Sequence, residues 1–139
     1  MSAYFDTSAL FQLAVLEIGA DVVTRAWDAA GEPFASRIGH VELHAALGQA
    51  RRSGRDLVAA PSDVDVLWGQ VTPVEVDEAL VRRAGGLAIR HGLSALDAIH
   101  LASALVIAAR EPTMAFVTFD MRLRKAAAAE GFLVLPVVA

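Results

Sequence analysis

Four acidic side chains are candidates for shared chemistry: Asp6, Glu42, Asp97 and Asp120. Asp6 ends a short apolar run, and two hydroxyl residues, Thr7 and Ser8, follow it directly. Carboxylates that meet in one place raise each other's pKa unless a cation lies between them. Because the chain has no cysteine, an all-oxygen ligand set is the simplest one, and such a set favours Mg²⁺ or Mn²⁺. An ion of this kind can activate water for attack on a phosphodiester.

Each acid also has a purely structural explanation. Asp6 and Asp120 stand where a helix begins and suit an N-cap, and Asp97 suits the third position of a capping box that starts at Ser94. Glu42 is harder to explain this way, because Val41, Leu43 and other apolar residues surround it in a predicted helix. An uncompensated carboxylate would be costly there, although a solvent-facing glutamate remains an alternative.

Two histidines lie close to these acids in the sequence. His44 follows Glu42 by two residues, and His100 follows Asp97 by three. Because the carboxylates already supply hard oxygen donors, we expect both imidazoles to pack, or to orient a ligand from behind, rather than to bind the ion.

Predicted strands and helices alternate along the chain. The strands cover residues 3–5, 33–35, 71–76, 115–118 and 132–138, and the helices cover 9–18, 20–30, 36–52, a short stretch ending at 68, 77–90, 95–109 and 121–130. This order predicts an α/β three-layer sandwich with a central parallel sheet flanked by helices. Because parallel strands end at a common edge, where ligands bind, we expect Asp6, Asp97 and Asp120 to meet there.

Composition restricts the class of protein. A chain of 139 residues suits one domain over 1–139, and the most apolar stretch, 101–109, is too short to span a bilayer. No Lys or Arg precedes Arg25, so we expect no signal peptide and no membrane, and a water-soluble, cytoplasmic protein. The net charge is −4, so the protein lacks the positive field of a typical nucleic-acid binder. If four of the 16 acids share a metal, however, the remaining 12 acids balance the 12 basic residues.

Four segments, taken in order, carry a family resemblance: residues 5–10, 36–43, 93–104 and 117–123. The first reads Phe-Asp-Thr-Ser-Ala-Leu, the second contains Glu42, the third contains Asp97 and the last reads Val-Thr-Phe-Asp-Met-Arg-Leu. Together they resemble the PIN-domain ribonucleases, and more narrowly the VapC-type toxins of bacterial type II toxin–antitoxin pairs.

The resemblance implies a PIN-like fold and a Mg²⁺- or Mn²⁺-dependent endoribonuclease that hydrolyses RNA phosphodiester bonds with metal-activated water. The acidic metal site would consist of Asp6, Glu42, Asp97 and Asp120, with Asp120 reaching the metal directly or through water. Thr7 and Ser8 would lie beside it, Thr118 would support Asp120, and His100 could orient a ligand. Arg37 and Arg122 are candidate contacts to RNA phosphate. The expected partners are RNA, a cognate antitoxin and a second copy in a homodimer.

Three alternative functions differ from this one at specific residues. A receiver-type phosphoacceptor needs two adjacent acids after the first strand and a lysine after the last strand but one. Here Asp6 has no adjacent acid, and Lys125, the only lysine, lies inside the final predicted helix. A haloacid-dehalogenase-type phosphatase would have an acid at position 8, where Ser8 stands. A PIN-like module that binds RNA or protein without cutting remains open.

Overall fold

The computed structural model describes residues 2–15 and 20–137. Its elements, in chain order, are β1 (Ala3–Phe5), α1 (Thr7–Val15), α2 (Ala20–Ala29), β2 (Pro33–Ser36), α3 (Gly39–Arg52), α4 (Pro61–Trp68), β3 (Thr72–Val74), α5 (Glu78–His91), α6 (Ala95–Ala108), β4 (Ala115–Val117), α7 (Met121–Ala129) and β5 (Leu133–Leu135). The predicted helix over 9–18 and strand over 132–138 extend to positions 16–18 and 138, which lie outside the described residues.

All pairs in the five-stranded sheet are parallel, and the strand order is β3-β2-β1-β4-β5. The first strand is therefore central, with Tyr4 opposite Phe34 of β2 on one side and opposite Phe116 of β4 on the other. The chain leaves β1 towards β2 and later returns to the far side of β1 as β4. In an open parallel sheet, the crevice at such a switch point is where ligands bind.

Two cores lie on opposite faces of the sheet because successive strand residues alternate in direction. Tyr4 belongs to the core built with α5, α6 and α7, whereas Ala3 and Phe5 pack with α1, α2, α3 and α4. The predicted three-layer α/β sandwich with a central parallel sheet is thus confirmed.

Side-chain caps start α5, α6 and α7. The Asp77 carboxylate accepts the Leu80 N–H at 2.9 Å at the start of α5, and the Ser94 hydroxyl accepts the Asp97 N–H at 3.3 Å at the start of α6. Asp120 caps α7. Each cap satisfies a backbone donor that has no partner inside its helix.

The helix that carries Glu42 begins later than predicted. The helix was expected to begin at position 36, but Ser36 is the last residue of β2, where its backbone N–H donates to the Tyr4 hydroxyl at 3.0 Å. The helix starts instead at Gly39, where an added Cβ would come within 3.2 Å of the Trp68 ring. Glu42 therefore stands in the first turn of α3 rather than in its interior.

Among the described residues, no single helix is long and apolar enough to cross a membrane. Within this part of the chain, only α5 and α6 taken together reach the required length and hydropathy, and the chain bends by 115° between them.

Candidate active site

Asp6 lies at the switch point of the sheet, directly after β1, and its side chain is buried. The Thr118 hydroxyl, directly after β4, donates to Asp6 Oδ2 at 2.6 Å, and the Ser8 hydroxyl donates to Oδ1 at 2.7 Å. The Ala9 N–H also donates to Oδ1 at 3.0 Å, so Asp6 caps α1 as well. Three donors hold this carboxylate in one orientation, and the structural and functional explanations of Asp6 are compatible.

The loop after β4 is tied to the same carboxylate. Ser8 Oγ, which donates to Asp6, also accepts the Phe119 N–H at 3.0 Å. Thr118 Oγ1 likewise accepts the Asp120 N–H at 3.0 Å. The position of Asp120 relative to Asp6 is therefore set by two hydroxyl groups that serve both loops.

Glu42 reaches the same edge from α3. Its Oε1 accepts the Thr7 hydroxyl at 2.7 Å and lies 2.7 Å from His100 Nε2. The Glu42 side chain keeps 20% of its surface exposed, whereas His100 keeps 3%. Because both bonds reach Oε1, Oε2 is the carboxylate oxygen left for another ligand.

Tyr4 completes this arrangement, although no sequence motif singled it out. The Tyr4 hydroxyl accepts the Ser36 N–H and lies 2.7 Å from His100 Nδ1. A carboxylate can only accept, so the proton between His100 and Glu42 belongs to Nε2, and in the neutral ring the Tyr4 hydroxyl donates to Nδ1. Burial raises the pKa of Tyr4 well above its usual value, which keeps this hydroxyl protonated. The only signal for this role in the sequence was the position of Tyr4 in the predicted strand 3–5, one residue before the end of that strand.

Asp97 and Asp120 approach the site from the N-terminal turns of α6 and α7. Asp97 is half-buried in the first turn of α6, and Asp120 is exposed at the cap of α7, where its Oδ1 accepts the Leu123 N–H at 2.8 Å. The two carboxylates repel each other, and the negative charge of Glu42 also repels the Asp97 carboxylate. The positive ends of both helix dipoles face these acids.

The buried surroundings shift the pKa values of three acids. Burial raises the pKa of Asp6, against the opposing effects of His100 and the Thr118 and Ser8 hydroxyls. Burial, and then repulsion from Asp120, raises the pKa of Asp97. For Glu42, burial would raise the pKa, but the hydrogen bond and charge of His100 and the bond from Thr7 outweigh it, so its pKa ends below the ordinary value.

The two candidate phosphate ligands differ in their surroundings. Arg37 Nε donates to Glu75 at 2.7 Å, so this guanidinium is already paired with an acid. Arg122 is exposed in the first turn of α7, two residues after Asp120, and its Nη1 lies 3.5 Å from the Gly92 carbonyl oxygen. His44, in contrast, lies away from the acids and faces Asp65.

The donor set suits a hard divalent cation. Asp6, Glu42, Asp97 and Asp120 offer only oxygen, and the raised pKa values of Asp6 and Asp97 are those of carboxylates that a cation would stabilise. The ligand atoms of the four acids are not already gathered around one point. Among the described residues, the group of at least three potential metal ligands with atoms within 4.8 Å of one another is His40, His44 and Asp65.

Comparison with known proteins assigns this arrangement to a class. A family model of the PIN domain matches residues 3–129. Ribonuclease VapC45 of Mycobacterium tuberculosis is 35% identical over 137 residues, which cover 96% of this chain and 94% of that protein. The chain belongs to the PIN-domain family and, within it, to the VapC proteins.

Solved structures share the fold. M. tuberculosis VapC20, described as a sarcin-ricin loop cleaving toxin, matches with a TM-score of 0.65 and 18% identity, covering 95% of this chain and 97% of that one. A toxin-antitoxin complex from Klebsiella pneumoniae matches with a TM-score of 0.64 and 19% identity, covering 86% and 87%.

Proposed function

We propose that this protein is a divalent-metal-dependent endoribonuclease that acts as the toxin of a toxin–antitoxin pair. The observation that carries the proposal is the Asp6 carboxylate at the switch point, oriented by Thr118 and Ser8. Glu42, Asp97 and Asp120 approach it from three different helices. Family membership supports the same reaction class, because the VapC45 relative is named a ribonuclease.

Asp6, Glu42 and Asp97 would hold Mg²⁺ or Mn²⁺, and Asp120 would complete the site directly or through water. When bound, such an ion lowers the pKa of water and stabilises the developing charge on the phosphate. Glu42 Oε2 is available for this because Thr7 and His100 both bond to Oε1. Asp6 Oδ2 accepts one bond, from Thr118, and can accept more.

The other side chains of the site position these ligands and the substrate. The Thr118 and Ser8 hydroxyls orient Asp6, and the buried Tyr4–His100 pair orients Glu42 and keeps it ionised. Arg122, and with less freedom Arg37, would bind RNA phosphates next to the acids, since a guanidinium forms bidentate bonds to phosphate.

The proposed protein partners are a cognate antitoxin and a second copy of the chain in a homodimer. The antitoxin would place an apolar helix in a groove and an arginine on the acids. A groove lined by Ala84, Ala88 and Ala98 runs between α5 and α6 and leads towards the turn that carries Asp97. The shared fold with a protein of the Klebsiella toxin-antitoxin complex supports an antitoxin partner.

The experiment that tests the activity uses purified protein, free of any antitoxin, with a panel of transfer and ribosomal RNAs. Cleavage is mapped with Mg²⁺, with Mn²⁺ and with EDTA. We expect discrete cuts that EDTA abolishes and that Asp97→Asn reduces by at least about 100-fold. Asp28→Asn removes the same charge from an exposed position on α2 and should cut like the wild type.

The alternative function is a PIN-like module that binds RNA or protein without turnover. A folded protein that binds RNA in a gel-shift assay but leaves every RNA intact, with either ion, would favour that module. Cleavage that survives both EDTA and Asp97→Asn would contradict the metal-dependent mechanism.

A further inference from the structure

A second cluster of potential metal ligands lies on the outer side of α3, where it packs against α4. His40 and His44 are one helical turn apart on α3, and Asp65 faces them from α4. Asp65 Oδ1 lies 2.8 Å from His40 Nε2 and 3.4 Å from His44 Nε2. The three ligand atoms lie within 4.8 Å of one another.

The spacing fits a tetrahedral ion with short bonds. Zinc binds imidazole nitrogen and carboxylate oxygen at about 2.0–2.1 Å, which places neighbouring ligand atoms of a tetrahedron about 3.3 Å apart. The distances of 2.8 Å and 3.4 Å lie on either side of that value. The side chains of His40, His44 and Asp65 are 41%, 35% and 58% exposed, so an ion can reach them from solvent.

Both imidazole rings are held in place. His44 Nδ1 lies 2.9 Å from the His40 carbonyl oxygen, which can only accept, so Nδ1 carries the proton of that bond. The His40 ring stacks on Trp68 with centroids 5.1 Å apart and planes 2° from parallel. Histidine ligands in metal sites are oriented in this way, with the second ring nitrogen bonded to a carbonyl or carboxylate.

The contact between His44 and Asp65 leaves room for a bridging ion. His44 Nε2 lies 3.4 Å from Asp65 Oδ1, whereas His40 Nε2 lies 2.8 Å from the same oxygen. An ion placed between His44 and Asp65 would bond to both side chains.

We propose that His40 Nε2, His44 Nε2 and a carboxylate oxygen of Asp65 bind a transition-metal ion of the Zn²⁺ class, with water as the fourth ligand. Two imidazoles favour Zn²⁺, Co²⁺, Ni²⁺ or Cu²⁺ over Mg²⁺, which prefers oxygen. The site therefore selects a different ion from the one expected at the acids.

This metal site is separate from the acidic edge. Successive residues of an α-helix are rotated by about 100° around the helix axis. Glu42, two residues after His40, is therefore rotated by about 200° from it, towards the opposite side of α3. His44, four residues after His40, is rotated by only about 40° beyond a full turn and lies on the same side. Glu42 accordingly contacts Thr7 and His100, whereas the two histidines contact Asp65. The bound ion would join α3 to α4 on the side opposite the catalytic groups.

Cobalt is the probe for this site, because tetrahedral Co²⁺ with nitrogen ligands absorbs visible light far more strongly than octahedral, oxygen-bound Co²⁺. The wild-type protein is titrated with Co²⁺ and then with Zn²⁺ in excess Mg²⁺. We expect one equivalent of tetrahedral Co²⁺, displaced by Zn²⁺ but not by Mg²⁺. A melting temperature raised by about 5 °C or more in Zn²⁺ should accompany binding.

The variants separate this site from the acids. His44→Gln and Asp65→Asn should each weaken Co²⁺ binding by at least about 10-fold. Circular dichroism checks that both variants fold. Asp97→Asn, which changes the acidic edge, and His91→Gln, which removes a distant imidazole, should keep the tetrahedral spectrum. The proposal is overturned if the wild type gives no tetrahedral spectrum. It is also overturned if Asp97→Asn loses the spectrum while His44→Gln retains it, because the ion would then lie at the acids. No RNA is used, so these outcomes are independent of nuclease activity.

Discussion

His100 Nε2 and Glu42 Oε1 lie 2.7 Å apart, and this contact joins the two helical layers of the protein across the edge of the sheet. Glu42 belongs to α3, which packs on one face of the sheet, and His100 belongs to α6, which packs on the other. The pair thus connects the packing of both cores to the position of one acid of the proposed metal site.

Removal of the His100 imidazole should weaken the site without unfolding it. In His100→Gln, Glu42 loses the partner that lowers its pKa, while the burial that raises it remains. We expect the rate of RNA cleavage to fall about 10-fold to 100-fold. The acidic limit of cleavage, which is the pH below which the rate drops, should move to higher pH, because Glu42 then stays protonated up to a higher pH. The measurement is the cleavage rate against pH, with His91→Gln as the control. An unchanged acidic limit would contradict the assigned role.

Thr118 offers a test of a single hydroxyl group. Its Oγ1 donates to Asp6 and accepts from the Asp120 backbone, and the residue is fully buried. Thr118→Val should therefore lower the free energy of unfolding by about 1–3 kcal/mol, since it leaves buried polar groups unpaired. Cleavage should fall about 10-fold to 100-fold as Asp6 loses its orientation.

Thr118→Ser is the matched control, because it keeps the hydroxyl and removes only a methyl group. Urea unfolding and cleavage rates are measured for both variants. Equal losses in the serine and valine variants would mean that packing, rather than the hydrogen bonds, explains the effect.

Asp97→Asn should lower the cleavage activity and raise the free energy of unfolding. Burial and Asp120 raise the folded-state pKa of Asp97 above its unfolded value, so its charge opposes folding at pH values above the folded pKa. In EDTA at neutral pH, the variant should be more stable than the wild type by about 1 kcal/mol. The gain should vanish as the pH falls through the folded pKa towards the unfolded value, about 3.9.

The measurement is urea unfolding of both proteins across this pH range, with and without Mg²⁺. Added Mg²⁺ should stabilise the wild type and have little effect on Asp97→Asn. A stability difference that stays constant with pH would argue against a role for the Asp97 charge.

Arg122 should contribute to RNA binding rather than to the chemical step. Arg122→Ala is expected to raise KM, leave kcat nearly unchanged and reduce the salt dependence of RNA binding by about one unit of slope. Arg37→Ala should have a smaller effect, because Arg37 is already paired with Glu75. A fall in kcat alone for Arg122→Ala would place the guanidinium at the transition state instead.

Much of the site follows from local sequence. One short apolar strand ends just before Asp6 and a second ends just before Thr118. Because strand and helix signals act over a few residues, this pattern predicts polar groups at the carboxyl edge of a parallel sheet. Even the caps of α5, α6 and α7 follow from single residues at known positions. The start of α3 was the exception, because Ser36 still belongs to β2 and its N–H has a partner on another strand.

Residue types and short spacings are enough to predict the alternation of strands and helices, the class of fold and three acids, Asp6, Asp97 and Asp120, at the starts of helices. Glu42 joined this predicted set through the family resemblance. Residue types and short spacings do not predict the strand order that places Thr118 beside Asp6, or the Tyr4–His100–Glu42 chain, which appear only in the folded protein. The same is true of the meeting of His40 and His44 with Asp65. These contacts join groups that are far apart in sequence, and which partner each group finds depends on how sheet and helices pack, which no local pattern encodes.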